Sequence, residues 1–137
     1  MPVLKIAQTE HRCGGASSVA ADLAALGAQA YCVGAIGDDQ DGDILEARLL
    51  EAGADVAGLA RTATRPTISK QRLIGLAQHL HRQQLIRMDR ECTEPLCDEL
   101  IRAIWEAYRD RLPQMDIVCL QDHDKGLLGP SLCRQMI

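Results

Sequence analysis

Helical and strand-like patterns alternate along the first part of the chain, and this alternation constrains the fold more than any other feature. Apolar residues recur at helical spacing over residues 15–26, and Gly27 follows as a helix stop signal. The compact apolar run QAYCVGAIG predicts a buried strand that ends near Gly34, and residues 42–52 predict a second helix. With a short strand predicted over PVLKIA, the order strand, helix, strand, helix predicts a parallel α/β sheet.

The pattern changes in the second half of the chain. RPTISKQRLIGLA and QQLIRMDRE partly alternate apolar and polar residues on either side of QHLHR, which predicts an antiparallel ribbon over about residues 64–90. An amphipathic helix is predicted from Glu94 to about Arg111, MDIVCL predicts another buried strand, and Pro130 is a typical first residue of a last helix. We therefore expect an α/β fold with a partial parallel sheet, flanking helices and a small β-ribbon.

The composition excludes several classes of protein. The 137 residues carry a formal net charge of −4, which argues against non-specific nucleic-acid binding because that needs a basic surface. The sequence has no apolar run near the roughly 20 residues of a membrane span and no signal-peptide pattern. We therefore expect a cytoplasmic protein with neither membrane nor nucleic-acid partners. Six scattered cysteines without a CxxC pair are typical of reduced, structural thiols.

Gly14 and Gly15 stand at the N-terminus of the first predicted helix. Backbone N–H donors at such a position have no partner within the helix, and Ser17 and Ser18 add hydroxyls in the first turn. This arrangement is typical of a site for a polyhydroxylated or anionic ligand. It is equally typical of a tight strand-to-helix turn built from small residues. The spacing fits neither a Walker loop nor a dinucleotide fingerprint.

A second glycine-rich turn, GAIGDDQDG, carries Asp38, Asp39 and Asp41 near the end of the predicted strand. Three carboxylates at this place are compatible with Mg²⁺ binding, but they lack the spacing of an EF-hand loop. The sequence favours the other interpretation, a solvated turn with an aspartate that caps the following helix.

His79 and His81 lie two residues apart in the predicted ribbon, with Cys92 and Cys97 nearby. They resemble two metal ligands on one strand face, but structural zinc sites usually have more closely spaced cysteines. The sequence therefore favours a hairpin turn here, and we expect no metal site in the chain.

The predicted ribbon is rich in cations. Lys70 and Arg72 lie two residues apart and therefore share one face of a strand, as do Arg87 and Asp89 on the partner strand. Paired cations on one face suit phosphate recognition, although most charges on a two-stranded ribbon are simply solvated. The ribbon cations are Arg65, Lys70, Arg72, Arg82, Arg87 and Arg90.

A polar loop, QDHDKG, follows the strand predicted over MDIVCL. Ligands in open α/β sheets bind at the carboxyl ends of the strands, which favours a functional role for Asp122 and Lys125. No serine, cysteine or carboxylate pair forms a recognisable nucleophile and base. The residues alone therefore predict a polar-ligand site on an α/β scaffold and do not define a reaction.

These same residues carry a family resemblance. GGASSVAADLAALGAQAYCVGAIGDDQDG resembles the first signature of the ribokinase-like (PfkB) carbohydrate kinases. The ribbon resembles the lid region of heptose 7-phosphate kinases, the kinase domains of the bifunctional ADP-heptose synthases of lipopolysaccharide assembly, and LQDHDKG resembles their SDY.KG segment. Their lid run T.K.R......QQL.R.D.E is echoed here, with longer gaps before Lys70 and before Gln83, by Thr67, Lys70, Arg72, Gln83, Gln84, Leu85, Arg87, Asp89 and Glu91.

The resemblance implies an ATP- and Mg²⁺-dependent kinase that phosphorylates a sugar phosphate, with heptose 7-phosphate converted to heptose 1,7-bisphosphate. The glycine turn would hold sugar hydroxyls, the ribbon would be a lid with phosphate-binding cations, and the polar loop would lie at the mouth of the cleft. The substrate-binding residues implied are Gly14, Gly15, Ser18, Lys70, Arg72, Arg87, Asp89, Asp122 and Lys125.

The sequence also departs from the family pattern. Ser18 stands where the family has a sugar-binding Asn, and His123 stands where the loop has Tyr. The chain lacks the GAGD motif that supplies the catalytic base, so the expectation is that residues 1–137 are the N-terminal portion of a kinase domain, without its nucleotide-binding half. No catalytic residue is expected in this chain, and by itself it should be inactive.

Two alternatives to the kinase interpretation stay open. The chain could be a truncated, non-catalytic module that binds a sugar phosphate or forms a homodimer through the lid ribbon. It could also be a decayed gene product without a function, an interpretation suggested by Ser18 and by the missing motifs.

Overall fold

The structure is a computed structural model that describes residue 3, residues 5–76 and residues 82–137. The helices are α1 (Ala16–Ala25), α2 (Gln40–Glu51), α3 (Asp98–Arg111) and α4 (Pro130–Met136), and Leu112–Gln114 form a 3-10 turn. The strands are β1 (Tyr31–Gly37), β2 (Asp55–Thr62), β3 (Ser69–Leu76) and β4 (Arg82–Arg90). None of the helices in the described part of the chain combines the length and apolar character needed to cross a bilayer.

The first half of the chain forms the predicted parallel α/β unit. β1 and β2 pair in parallel, and α2 provides the crossover between them. β1 continues to Gly37, three residues beyond the expected end at Gly34, because the residues from Val33 onward all have partners on β2. β2 was not predicted: its glycine and mixed polar residues do not alternate, so only the pairing identifies it as a strand.

The hydrophobic core lies between α3, α4 and one face of this sheet. Leu96, Leu100, Ile104 and Leu132 form the buried cluster, and apolar side chains of β1 and β2 pack against it. The last turn of α4 is fixed by Tyr108, whose hydroxyl donates to the Met136 carbonyl at 2.8 Å. This packing orients the loop between α3 and α4, which contains the predicted site residues Asp122 and Lys125.

One predicted helix start and two predicted strands were wrong. α3 begins at Asp98 rather than at Glu94, since Pro95 disfavours a helical conformation for the residue before it. The strand expected over MDIVCL is absent: residues 115–120 form no ladder with any described residue, and Ile117 is 84% exposed. An apolar run needs a hydrogen-bonding neighbour to become a strand. The strand expected over PVLKIA is likewise not formed by residues 3 and 5–7.

The predicted ribbon is confirmed. β3 and β4 pair in antiparallel register, with Lys70 opposite Asp89 and Arg72 opposite Arg87. Because directly opposed residues share a face, these four side chains form what we call the charged face of the ribbon. The other face, which we call the apolar face, carries Leu73, Leu85, Ile86 and Met88.

Candidate functional site

The glycine turn lies at the N-terminus of α1, as predicted. Gly15 is the N-cap residue, with φ 57° and ψ −133°, and within the described part of the chain no side chain caps the helix. The Ser17 hydroxyl donates to the Gly14 carbonyl at 2.6 Å, and the Ser18 hydroxyl donates to the Gly15 carbonyl at 2.7 Å. Both serines therefore bond back to the turn, which leaves the end of the helix open on the surface.

His123 brings the polar loop to this turn. A Cβ placed on Gly15 would lie 3.5 Å from both Cδ2 and Nε2 of His123, so the imidazole lies directly over the glycine. Within the loop, the Asp124 N–H donates to Asp122 Oδ1 at 2.9 Å, and Asp124 has a positive φ of 55°. The glycine turn and the loop, distant in sequence, thus form one continuous surface.

The same loop reaches the ribbon through Glu91, the residue after β4. Lys125 Nζ donates to Glu91 Oε2 at 2.5 Å, and Lys70 Nζ donates to Glu91 Oε1. These hydrogen bonds, from Lys125 first and Lys70 second, lower the pKa of Glu91 to about 2. We call Lys70, Glu91 and Lys125 the Glu91 bridge. It was not predicted, although Glu91 continues the two-residue spacing of Arg87 and Asp89.

Asp89 adds a second carboxylate to the charged face. Lys70 Nζ lies 3.0 Å from Asp89 Oδ2, and Arg87 Nε lies 3.0 Å from Asp89 Oδ1. The hydrogen bond from Lys70, followed by that from Arg87, lowers the pKa of Asp89. Bonds from Glu91 and then Asp89 raise the pKa of Lys70. The positive charge of Lys70 is therefore balanced by two carboxylates, which makes this lysine a weak candidate for binding an anion directly.

Arg72 and Arg87 differ from Lys70 in this respect. They are cross-strand partners, and like charges at directly opposed positions destabilise a ribbon. Arg87 shares Asp89 with Lys70, and Arg72 has no ion-pair partner within residues 5–76 and 82–137. The charged face thus carries an excess of positive charge at this pair, which an anion would compensate.

Other ribbon cations have structural roles. Arg65 donates to the carbonyls of Lys125 at 2.6 Å, Cys92 at 2.7 Å and Glu94 at 3.4 Å, so it ties the polar loop to the segment after β4. Arg90 lies 3.4 Å from Asp41 and connects the ribbon to α2. The predicted set of ribbon cations therefore divides into anchoring residues and residues available to a ligand.

The second glycine-rich turn confirms the interpretation of a helix cap. Asp39 Oδ1 accepts from the Gly42 N–H at 2.9 Å, and Asp39 Oδ2 accepts from the Thr67 N–H at 2.9 Å. Burial by itself raises the pKa of Asp39, but the hydrogen bonds from Thr67 and Gly42 outweigh it, so the pKa ends below its usual range. Both oxygens already accept N–H donors, which disfavours a Mg²⁺ ligand here.

Among the described residues, no three His, Cys, Asp or Glu side chains lie close enough together to hold a metal ion. His79 and His81, the other candidate metal ligands, lie outside the described residues. The six cysteines are all free thiols.

A shallow cleft lies at the end of the parallel sheet where β1 and β2 begin. It is lined by Tyr31, Ala57, Asp110 and Arg111 among others. Arg111 pairs with Asp55 and stacks on the Tyr31 ring, 4.3 Å from its centroid. Through these two contacts Arg111 links α3 to the parallel sheet.

The class of the protein follows from a comparison with protein families. The family model described as pfkB family carbohydrate kinase matches residues 1–86. This is more than half of the chain, and the chain belongs to that family. Its parallel α/β unit with flanking helices and a small antiparallel ribbon agrees with the fold predicted from sequence.

Particular relatives are similar over the whole chain. The bifunctional protein HldE of Magnetococcus marinus is 37% identical over 143 residues, which cover 100% of this chain and 28% of that protein. The bifunctional protein HldE of Helicobacter pylori is 34% identical over 137 residues, covering 100% of this chain and 29% of that protein. The chain thus spans less than a third of these relatives.

Among solved structures, a fructokinase from Xylella fastidiosa matches with a TM-score of 0.42 and 22% identity, over 82% of this chain and 43% of that chain.

Proposed function

We propose that this chain provides the sugar-phosphate site of a carbohydrate kinase. The observation that carries the proposal is the cross-strand pair of Arg72 and Arg87, whose ribbon face is linked through the Glu91 bridge to the loop over Gly15. Two facing guanidinium groups suit a phosphate dianion, because each offers planar N–H donors to phosphate oxygens.

Heptose 7-phosphate is the substrate that we propose. The ribbon pattern shared with heptose 7-phosphate kinases and the similarity to bifunctional HldE proteins support it. In the reaction, a sugar hydroxyl oxygen forms a bond to the γ-phosphorus of ATP, the bond from that phosphorus to the departing ADP oxygen breaks, and the hydroxyl proton passes to a base. The product would be heptose 1,7-bisphosphate, for ADP-heptose and lipopolysaccharide core synthesis.

The residues of this chain enter the proposal as holders of the acceptor sugar. Kinases of this family generally use ATP and Mg²⁺. The described residues contain no group of three metal-ligating side chains, and the sequence contains no GAGD motif. We therefore assign to this chain neither the base nor the contacts to ATP and Mg²⁺.

The proposed contacts divide between the two ends of the sugar phosphate. The backbone of Gly14 and Gly15, with Ser18 and Asp122, would face the sugar hydroxyls at the helix end. Arg72 and Arg87 would bind the phosphate, and Lys70, Asp89 and Lys125 would hold these elements in place.

Calorimetric binding to the complete gene product tests the proposal. Heptose 7-phosphate and unphosphorylated heptose are titrated into the wild type, Arg72→Gln, Arg87→Gln and the control Arg82→Gln, which removes a charge at the far end of the ribbon. Loss of a charge-assisted hydrogen bond should weaken binding of the phosphorylated sugar by about tenfold or more. Binding of the unphosphorylated sugar should change little, and the control should behave as wild type. No binding of either sugar would contradict the proposal.

A second candidate function is assembly through the ribbon. The apolar face leaves Leu85, Ile86 and Met88 50%, 53% and 52% exposed. Such a surface on a two-stranded ribbon favours a second copy of the chain, which would cover it. Light scattering after size-exclusion chromatography of the wild type and Met88→Lys tests this function. A dimer that the substitution separates supports it, and a monomeric wild type contradicts it.

A further inference from the structure

One carboxylate joins the two parts of the proposed site. Glu91 lies directly after β4, Lys70 belongs to β3, and Lys125 belongs to the loop after α3. Each carboxylate oxygen accepts from a different lysine: Oε1 from Lys70 and Oε2 from Lys125. The side chain is about three-quarters shielded from solvent, with a relative exposure of 25%. A link of this kind fixes the separation of two segments far apart in sequence.

The loop is held at the same place through its backbone. Arg65 donates to the Lys125 carbonyl at 2.6 Å and to the Cys92 carbonyl at 2.7 Å. Lys125 is therefore tied to the segment after β4 by its side chain and by its carbonyl. Two residues earlier, His123 lies over Gly15. Movement of Lys125 away from Glu91 would thus displace the side chain that contacts the glycine turn.

We propose that Glu91 is a positioning residue that sets the distance between the ribbon's charged face and the glycine turn. It acts through Lys70 and Lys125, and it does not itself contact the substrate. The inference rests on the proposed function and extends it, because it separates the cations of the site by role. Lys70 and Lys125 serve the bridge, whereas Arg72 and Arg87 remain for the phosphate.

Because Glu91 is charged, its positioning role can be distinguished from a purely electrostatic effect on the binding of a phosphorylated sugar. With its pKa lowered to about 2, Glu91 is ionised at neutral pH and places a negative charge near the proposed phosphate site. If it acted only through its field, Glu91→Gln would strengthen the binding of a phosphorylated sugar. If it positions the loop, the same substitution weakens binding, because the sugar contacts at the glycine turn are lost. The two roles predict changes of opposite sign.

The chain offers matched variants for the test. Glu91→Gln removes the charge and keeps the size of the side chain, and Glu91→Asp keeps the charge but is too short to reach both lysines. Glu94→Gln is the control, since it makes the same chemical change three residues away and the Glu94 carboxylate forms no ion pair with any described residue.

Two measurements read out the role. Hydrogen exchange on the full chain reports local opening of the loop, and steady-state kinetics on the complete gene product separate the KM for heptose 7-phosphate from kcat and from the KM for ATP. For Glu91→Gln we expect faster exchange confined to residues 121–126 and a KM for the sugar phosphate raised about tenfold, with the KM for ATP unchanged. Glu91→Asp should be intermediate, and Glu94→Gln should match the wild type.

The possible outcomes separate this inference from the proposed function. An unchanged exchange pattern in Glu91→Gln would overturn the positioning role, whatever the substrate is. A lowered KM for the sugar phosphate would also overturn it, in favour of the electrostatic role. Faster loop exchange in a gene product that binds no sugar phosphate would instead support the bridge and contradict the proposed function.

Discussion

Two glycine-rich turns lead into the first two helices, and the chain uses them in opposite ways. The closed turn, residues 37–42, connects β1 to α2, and the open turn, residues 13–15, precedes α1. In the closed turn the Gly37 N–H donates to Thr67 Oγ1 at 2.8 Å, and Asp39 accepts from Gly42 and Thr67. In the open turn no side chain of the described residues caps the helix, and the side chains that bond to the turn are Ser17 and Ser18 in the first turn of α1.

Glycine serves two different purposes in these two turns, and the amino-acid composition of a turn does not show which one applies. Gly42 is required because backbone packs against it: a Cβ there would lie 2.4 Å from the Gly37 carbonyl oxygen. Gly15 is required because its φ is positive, a conformation that residues with a Cβ rarely adopt. The closed turn is a structural joint that anchors the ribbon at Thr67. The open turn contributes little to packing, which suits a surface that meets a ligand.

The largest expected effect is on the closed turn. Gly42→Ala should lower the free energy of unfolding by about 3 kcal/mol, because the new methyl group overlaps a backbone carbonyl that cannot move without breaking the Asp39 cap. Urea unfolding of the full chain measures the change. The control is Gly14→Ala, whose Cβ would meet nothing within 4 Å, and which should change stability by about 0.5 kcal/mol or less. Equal losses in both variants would remove the distinction between the turns.

Asp39→Asn tests the hydrogen bonds of the closed turn. The amide oxygen can replace only one of the two carboxylate acceptors, so we expect a loss of about 2 kcal/mol at neutral pH. Since the pKa of Asp39 is lowered on folding, its contribution is complete above the usual carboxyl pKa and disappears as the pH falls through the lowered value. The stability difference between wild type and variant should therefore shrink in acid. A difference that stays constant down to pH 2 would contradict this account.

The sequence predicted the elements whose patterns are local. α1, α2, α4 and both ribbon strands follow from spacing and stop signals, and one of the aspartates in GAIGDDQDG was expected to cap a helix. The strand β2 was missed, and a strand was wrongly predicted over residues 115–120. Both errors arise because a strand depends on its neighbour as well as on its own residues. A single sequence contains no direct signal for that pairing.

The candidate site was predictable in which ribbon residues share a face, and less so in the contacts that those residues make. The charged face follows from two-residue spacing, so Lys70, Arg72, Arg87 and Asp89 were grouped correctly. Their division between the Glu91 bridge and the pair that we propose for the phosphate depends on Glu91 and on contacts between segments far apart in sequence. The contact of His123 with Gly15 also joins segments far apart in sequence, and for that reason it could not be predicted.

Gly15→Ala has a smaller effect on stability and tests the open turn. A φ of 57° with ψ −133° is accessible almost only to glycine, so we expect a loss of about 1–2 kcal/mol in urea unfolding. The methyl group would also lie 3.5 Å from His123, which places it on the surface proposed for the sugar. Calorimetry should show weaker binding of both heptose and heptose 7-phosphate, in contrast to the arginine variants. Binding unchanged from wild type would contradict the proposed sugar contact.

Ser18→Asn should have the smallest effect on stability and a measurable effect on recognition. The Ser18 hydroxyl gives its one hydrogen to the Gly15 carbonyl, so its oxygen can accept a hydrogen bond from a ligand but has no hydrogen left to donate. An amide is longer and carries both a donor and an acceptor beyond that carbonyl, and the resemblance places Asn at this position in the family. We expect stability within about 0.5 kcal/mol of wild type and heptose 7-phosphate binding about threefold tighter.

Ser17→Asn is the control for this variant, because the Ser17 hydroxyl both donates to the Gly14 carbonyl at 2.6 Å and accepts from its N–H at 3.1 Å. Replacing it disturbs the turn and should not tighten binding. If Ser18→Asn instead weakened binding, the short hydroxyl would itself be part of the recognition surface. The open turn of this chain would then be shaped for a sugar bulkier at that position than the one its relatives with Asn accommodate, and the proposal of heptose 7-phosphate would have to change.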